Sequence, residues 1–317
     1  MSAWFASPPP DAAIEIAPEG VSVAALGGRG RDATVHNYAT EALAPGLVVP
    51  KLTAGNIVDR EAVARAVAVA LERATLRPRR VALVIPDVAA RVSLVRFDRI
   101  PDRREDLDQL VRWQVRKAAP FPVDEASLSY APGIRTPDGG GEFIVVLARQ
   151  DVVREYESVC EELGLHAGLV DVVTLSVLNL FLASSAPSND WLAVHMRPDY
   201  VSLAIMRGEH MIFFRNRAEG EEEALADVVH QTSMYYQDRL GGQQFVRVLL
   251  GGMARTATAF DDARRSIEQR LGVHVESIDP TSVAPLTDRI SPNAELRAML
   301  APLVGILLRA QRETVAA

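Results

Sequence analysis

Apolar and polar residues alternate along Ala13-Ile-Glu-Ile-Ala-Pro-Glu-Gly-Val-Ser-Val-Ala-Ala-Leu26. The same pattern returns 180 positions later in Ala193-Val-His-Met-Arg-Pro-Asp-Tyr-Val-Ser-Leu-Ala-Ile-Met206. A period of two, interrupted by proline and an acidic residue, predicts strand, turn, strand. Five of the fourteen paired positions are identical, at 13/193, 18/198, 21/201, 22/202 and 24/204. Most of the others exchange apolar for apolar or Glu for Asp. A hairpin at the head of each half predicts an internally duplicated chain of two lobes with a cleft between them.

Helical periods fill the spaces. Asp59 is placed to cap a helix over 59–74 with Val63, Val67 and Leu71 on one face. Residues 80–86 and 92–97 read as strands. Asp102, with Glu105 three residues on, resembles a capping box before a helix whose apolar face is Leu107, Leu110, Val111, Val115 and Ala118. Pro120-Phe121-Pro122 stops that helix and sends the chain out extended. Residues 127–130 and 142–148 read as paired strands across a Gly-rich loop, 151–163 as a helix closed by Gly164, 168–173 as a strand and 174–183 as a helix. The Ser-, Pro- and Asn-rich stretch 184–190 reads as a linker. Beyond the second hairpin come a strand over 211–215 and a helix over 219–240 with acidic residues near its N-terminus. A buried strand over 245–250 then runs into Gly251-Gly252. A helix over 261–271, a strand over 273–278 and a final helix over 294–312 complete the chain. This order is α/β. The stretch 27–53 reads as looser chain.

Composition narrows the classes. The 317 residues suffice for two domains, and 48% hydrophobic content supports a sizeable core. A net charge of −7 without a Lys/Arg run argues against nucleic-acid binding. Cys160, the single cysteine, makes no internal disulfide, and no Cys/His spacing suggests a metal site, which fits a reducing compartment. The N-terminus lacks the basic start and apolar run of a signal peptide, and no stretch reaches the roughly 18 apolar residues of a membrane span. A cytoplasmic protein is expected. Arg112, Arg116 and Lys117 lie together before Pro120 and read as a solvated helix face, with an acidic partner segment as the alternative. Of Tyr235 and Tyr236, one is expected in the core with its hydroxyl at the rim.

The hairpin in each half, a linking helix and a strand ending in Gly-Gly resemble the actin-like ATPase superfamily, and within it the PilM family of type IV pilus assembly proteins. The blocks that carry the resemblance are 97–101, 116–125, 169–175, 232–236, 248–252 and 303–309, in that order. It implies a two-lobed, duplicated ribonuclease H-like fold: a first lobe over 1–183 with an FtsA-type inserted subdomain at about 79–164, and a second lobe over 184–317 whose final helix packs back on the core.

Actin-like ATPases carry Asp-x-Gly at each hairpin turn, for hydrated magnesium and for phosphate. Here those positions align with Glu15 and Ala17, and with His195 and Arg197. Each pair is followed by a proline, Pro18 or Pro198, which has no N–H to donate. Imidazole is a poor magnesium partner. Gly251 and Gly252 match the adenosine-side motif, or equally a strand-to-helix turn that needs glycine. Glu15 reads as a surface or salt-bridged residue, with acid/base work as the alternative. Arg197 reads as a solvated turn residue, with phosphate binding as the alternative.

The resemblance therefore implies a non-enzymatic scaffold with a degenerate nucleotide cleft. No cofactor is expected; ATP with magnesium is the candidate that the superfamily brings. The partner implied is the cytoplasmic N-terminal segment of a PilN-like single-span inner-membrane protein, with other pilus platform or motor ATPase components beyond it. The protein would sit at the membrane through that partner, without insertion. The groove implied lies broadly around Phe97, Pro101, Pro120, Phe121 and Pro122. The alternatives are an active actin-like ATPase and a GspL-like component of a type II secretion platform.

Overall fold

A computed structural model of the chain describes residues 9–183, 189–218, 225–287 and 292–316. In chain order the elements are β1 (Ala12–Ala17), β2 (Gly20–Gly27), β3 (Thr34–Ala42), α1 (Arg60–Arg73), β4 (Arg80–Ile85), β5 (Ala90–Phe97), α2 (Arg104–Arg116), β6 (Ala126–Arg135) and β7 (Gly141–Arg149). There follow α3 (Gln150–Glu162), β8 (His166–Val172), α4 (Val173–Ala183), β9 (Asp190–Met196), β10 (Tyr200–Arg207), β11 (His210–Ala218), α5 (Leu225–Leu240), β12 (Arg247–Gly252), α6 (Ala257–Leu271), β13 (Val275–Ser277) and α7 (Ala294–Ala316). The acidic start expected for the helix at 219–224, and residues 184–188 of the expected linker, lie outside the described residues.

The duplication seen in the hairpins extends to whole sheets. One sheet has the order β3-β2-β1-β4-β8 and another β11-β10-β9-β12-β13. In each, the first three strands are antiparallel and the last two join in parallel. The hairpin register is also the same: Glu15 faces Ser22 across β1–β2, and His195 faces Ser202 across β9–β10. This is the duplicated actin-like fold. A third sheet, β5-β7-β6, carries α2.

The described residues fall into two compact units. One holds those of Met1–Ala89, Asp151–Ala186 and Ile278–Ala317; the other holds those of Ala90–Gln150 and Pro187–Ser277. In the first, β4 lies between β1 and β8, and Val81 to Ile85 are all buried. Each of the Val, Leu and Ile side chains among them contributes about 1.5–3 kcal/mol of transfer free energy. Asp59 caps α1 as expected, accepting from the Ala62 N–H at 2.9 Å. Helices α4 and α7 pack against each other, and α7 also lies on β1 and β2. Gly305 permits the close approach, since a Cβ there would stand 1.9 Å from the Ser176 carbonyl oxygen. Arg309 of α7 reaches Asp171 at the end of β8 at 2.5 Å. The segment from Ile278 onward therefore belongs with the first sheet, and not with the second lobe expected over 184–317.

In the second unit α5 and α6 cover one face of the sheet, with Leu192, Val194, Leu203, Ile205, Val248 and Leu250 beneath them. The inserted sheet belongs to this unit and is narrower than the expected 79–164: β4 is a strand of the first sheet, and α3 from Asp151 onward belongs to the first unit.

Two local expectations are corrected. The loose stretch contains β3, an edge strand whose burial does not follow a clean alternation, so no period of two marks it. Helix α2 begins at Arg104, with Arg103 at the N-cap and no side-chain cap. Asp102 is therefore not a cap, and Glu105 and Asp106 act through the helix dipole in the first turn.

Candidate functional site

In the second unit the hairpin turn and the glycine pair meet at the carboxyl ends of β9 and β12. The parallel register sets Gly251 beside His195 and Gly252 beside Met196. His195 also faces Ser202, whose hydroxyl accepts from the Asn216 amide at 2.8 Å.

His195 is 1% exposed, and neither ring nitrogen has a hydrogen-bond partner among the described residues. Burial in these surroundings pushes its pKa down to about 4. At neutral pH it is an uncharged imidazole. It offers a magnesium ion no anionic oxygen.

The turn itself is closed by the Arg197 N–H donating to the Tyr200 carbonyl at 2.8 Å. Arg197 was expected in solvent; it is buried. Burial lowers the pKa of its guanidinium, and Tyr200 pulls it partly back by charge and hydrogen bonding. A turn residue read from sequence carries no information on depth, and here the long side chain folds inward. Gly252 has φ +91°, and a Cβ there would lie 2.0 Å from the Met196 carbonyl oxygen, which accepts from the Met253 N–H at 2.9 Å. Backbone packing alone requires this glycine.

In the first unit, Glu15 and Ala17 are both buried in β1. Glu15 is thus an interior residue, with Ser22 opposite on β2. Two further interior carboxylates were not among the expected site residues. Asp87, just past β4, accepts from the Thr174 N–H at 2.8 Å and from the Thr174 hydroxyl at 2.5 Å, satisfying an orphan donor at the start of α4. Asp171 accepts from the Val172 N–H at 2.8 Å and pairs with Arg309, which it helps to hold charged against the cost of burial. Both are committed to the frame.

The residues named for a partner groove divide by burial. Phe97 is 7% exposed and packs on Phe143 at a ring separation of 5.8 Å, inside the core of the inserted sheet. Pro101 and Phe121 are half-buried, and Pro120 and Pro122 are exposed. Elsewhere in this unit Tyr236 is the core tyrosine, donating to Asp190 at 2.8 Å, while Tyr235 is 45% exposed.

A family model described as type IV pilus assembly protein PilM matches residues 13–239. No curated protein matches the chain in sequence. Among solved structures the chain is similar to the PilM-PilN type IV pilus biogenesis complex, at 17% identity and a TM-score of 0.81, with 94% of this chain and 98% of that chain covered. It is also similar to the ethanolamine utilization protein EutJ from Carboxydothermus hydrogenoformans, at 10% identity and a TM-score of 0.50, with 96% and 91% covered.

Proposed function

The chain belongs to the type IV pilus assembly protein PilM family, and from that premise we propose that it is a non-enzymatic scaffold of pilus assembly that binds the cytoplasmic N-terminal segment of a PilN-like inner-membrane protein. One observation carries the non-enzymatic half: the position that would hold hydrated magnesium is a buried, neutral imidazole, His195. The prolines at 18 and 198 support it, since each removes a backbone donor next to a turn where phosphate would be held. Gly252 adds no argument for a purine, because the Met196 carbonyl already requires it.

The partner half rests on the family and on the fold shared with the PilM-PilN complex. No described helix is long and apolar enough to cross a membrane, and on this reading the protein stays at the inner membrane through its partner. Contacts with other platform or motor components extend the same role.

Two measurements test the two halves separately. Calorimetric titration with ATP and magnesium is expected to show weak or no binding; sub-micromolar affinity or steady phosphate release defeats the non-enzymatic reading. A pull-down with a PilN-like N-terminal peptide is expected to retain the folded protein, and its failure defeats the partner reading.

A further inference from the structure

The inserted sheet carries a groove that the function above does not use. Helix α2 lies over one face of β5-β7-β6, and β6 is an edge strand paired only to β7 within its sheet. Between α2 and β6 is a cavity of about 500 Å³. Its floor is apolar, with Leu107, Leu128 and the buried ring of Phe143. Its charged lining is three arginines, Arg104, Arg112 and Arg135, against one carboxylate, Asp108.

That carboxylate is already engaged. Asp108 accepts from the Tyr130 hydroxyl, and burial together with this bond raises the tyrosine's pKa. Arg104 interacts with the same hydroxyl. Arg112 and Arg135 are exposed and in no ion pair among the described residues. This occurs in a chain whose 41 acidic residues outnumber its 34 basic ones. Next to Arg112 on α2 stands Trp113, 57% exposed, with the Lys117 ammonium 5.2 Å from its ring centre. An exposed tryptophan among cations is the kind of anchor on which interface energy concentrates.

We infer that the α2–β6 groove docks an extended acidic segment of a partner protein. Alternate side chains of such a segment would enter the apolar floor, while its carboxylates meet Arg112 and Arg135. The open edge of β6 can add main-chain hydrogen bonds in the manner of β-augmentation. Guanidinium forks suit carboxylates in this role, because they bind them through paired N–H groups. None of Phe97, Pro101, Pro120, Phe121 and Pro122, around which the PilN-like partner's groove is expected, lines this cavity, and the inference goes beyond that reading.

The test uses the full chain and a fluorescein-labelled peptide alternating Asp and Val, followed by anisotropy. The Asp peptide is expected to bind, its Asn counterpart to bind at least about tenfold more weakly, and added salt to weaken the complex. The exposed double variant Arg112→Glu/Arg135→Glu, checked for an unchanged melting curve, is expected to lose about tenfold or more in affinity, with Arg112→Gln/Arg135→Gln falling between. Equal binding of the Asp and Asn peptides overturns the inference, as does unchanged affinity in the charge-reversed protein. Tighter binding of a single-stranded oligonucleotide than of the peptide also overturns it.

Discussion

His195 makes acid stability the most informative measurement on this protein. The imidazole is buried without a hydrogen-bond partner among the described residues, and its pKa falls from 6.5 to about 4 on folding. Between those values the unfolded chain binds a proton that the folded chain refuses. Stability therefore rises with pH across that window and is lost as pH falls through it. The full difference of about 2.5 pKa units corresponds to about 3 kcal/mol, of which about 2 kcal/mol develops between about pH 7 and about pH 5. The perturbation is His195→Leu, which removes the titrating group and keeps an apolar side chain between Val194 and Met196. Urea unfolding would be followed by the fluorescence of Trp191, which is buried on the same strand. Other carboxylates titrate in both proteins, so the quantity to plot is the stability difference between wild type and variant against pH. It should move by about 2 kcal/mol in favour of the variant on going from about pH 7 to about pH 5. A difference that stays flat refutes the assignment of a buried, neutral His195, and with it the argument from that residue against a magnesium site.

Two further outcomes follow from named contacts. Tyr236→Phe deletes the hydroxyl that donates to Asp190 at 2.8 Å and should cost about 1–2 kcal/mol by chemical denaturation. Burial and Asp190 push the Tyr236 hydroxyl from 10.0 up to about 12, so its contribution is complete below the lower value and fades as pH climbs through the higher one. The gap between the two proteins should close at strongly alkaline pH. Gly252→Ala places a methyl 2.0 Å from the Met196 carbonyl in a left-handed backbone, and should cost about 3 kcal/mol in a thermal melt, to the same extent with and without ATP and magnesium.

The parts of the candidate site that were legible in the sequence are those with a local signature. The paired hairpins follow from alternation, and the Asp59 cap from one carboxylate before a helical period. That neither hairpin turn carries Asp-x-Gly needed only position-by-position comparison of residue types. What was not legible is depth. Arg197 and Glu15 are polar residues in or beside turns, which favours an exposed reading, yet both are interior. Phe97 was read as part of a groove, but cross-strand packing on Phe143 takes it into the core. Asp87 carries no motif and Asp171 lies in the block 169–175 with no role assigned to it, because their partners Thr174 and Arg309 are far away in sequence.

The sequence by itself determined the duplicated frame, since the strand and helix periods are properties of neighbouring residues, and it showed that neither hairpin turn carries Asp-x-Gly. Only the tertiary structure decided the rest. It set Gly251 beside His195 through the parallel register of β9 and β12. It gave the chain from Ile278 onward to the first unit, through the close packing of α7 on α4. It also left Arg112 and Arg135 facing one groove whose single carboxylate, Asp108, is taken by the Tyr130 hydroxyl. Each of these depends on contacts between residues distant along the chain, and periodicity records which face of an element is apolar but not what that face will meet.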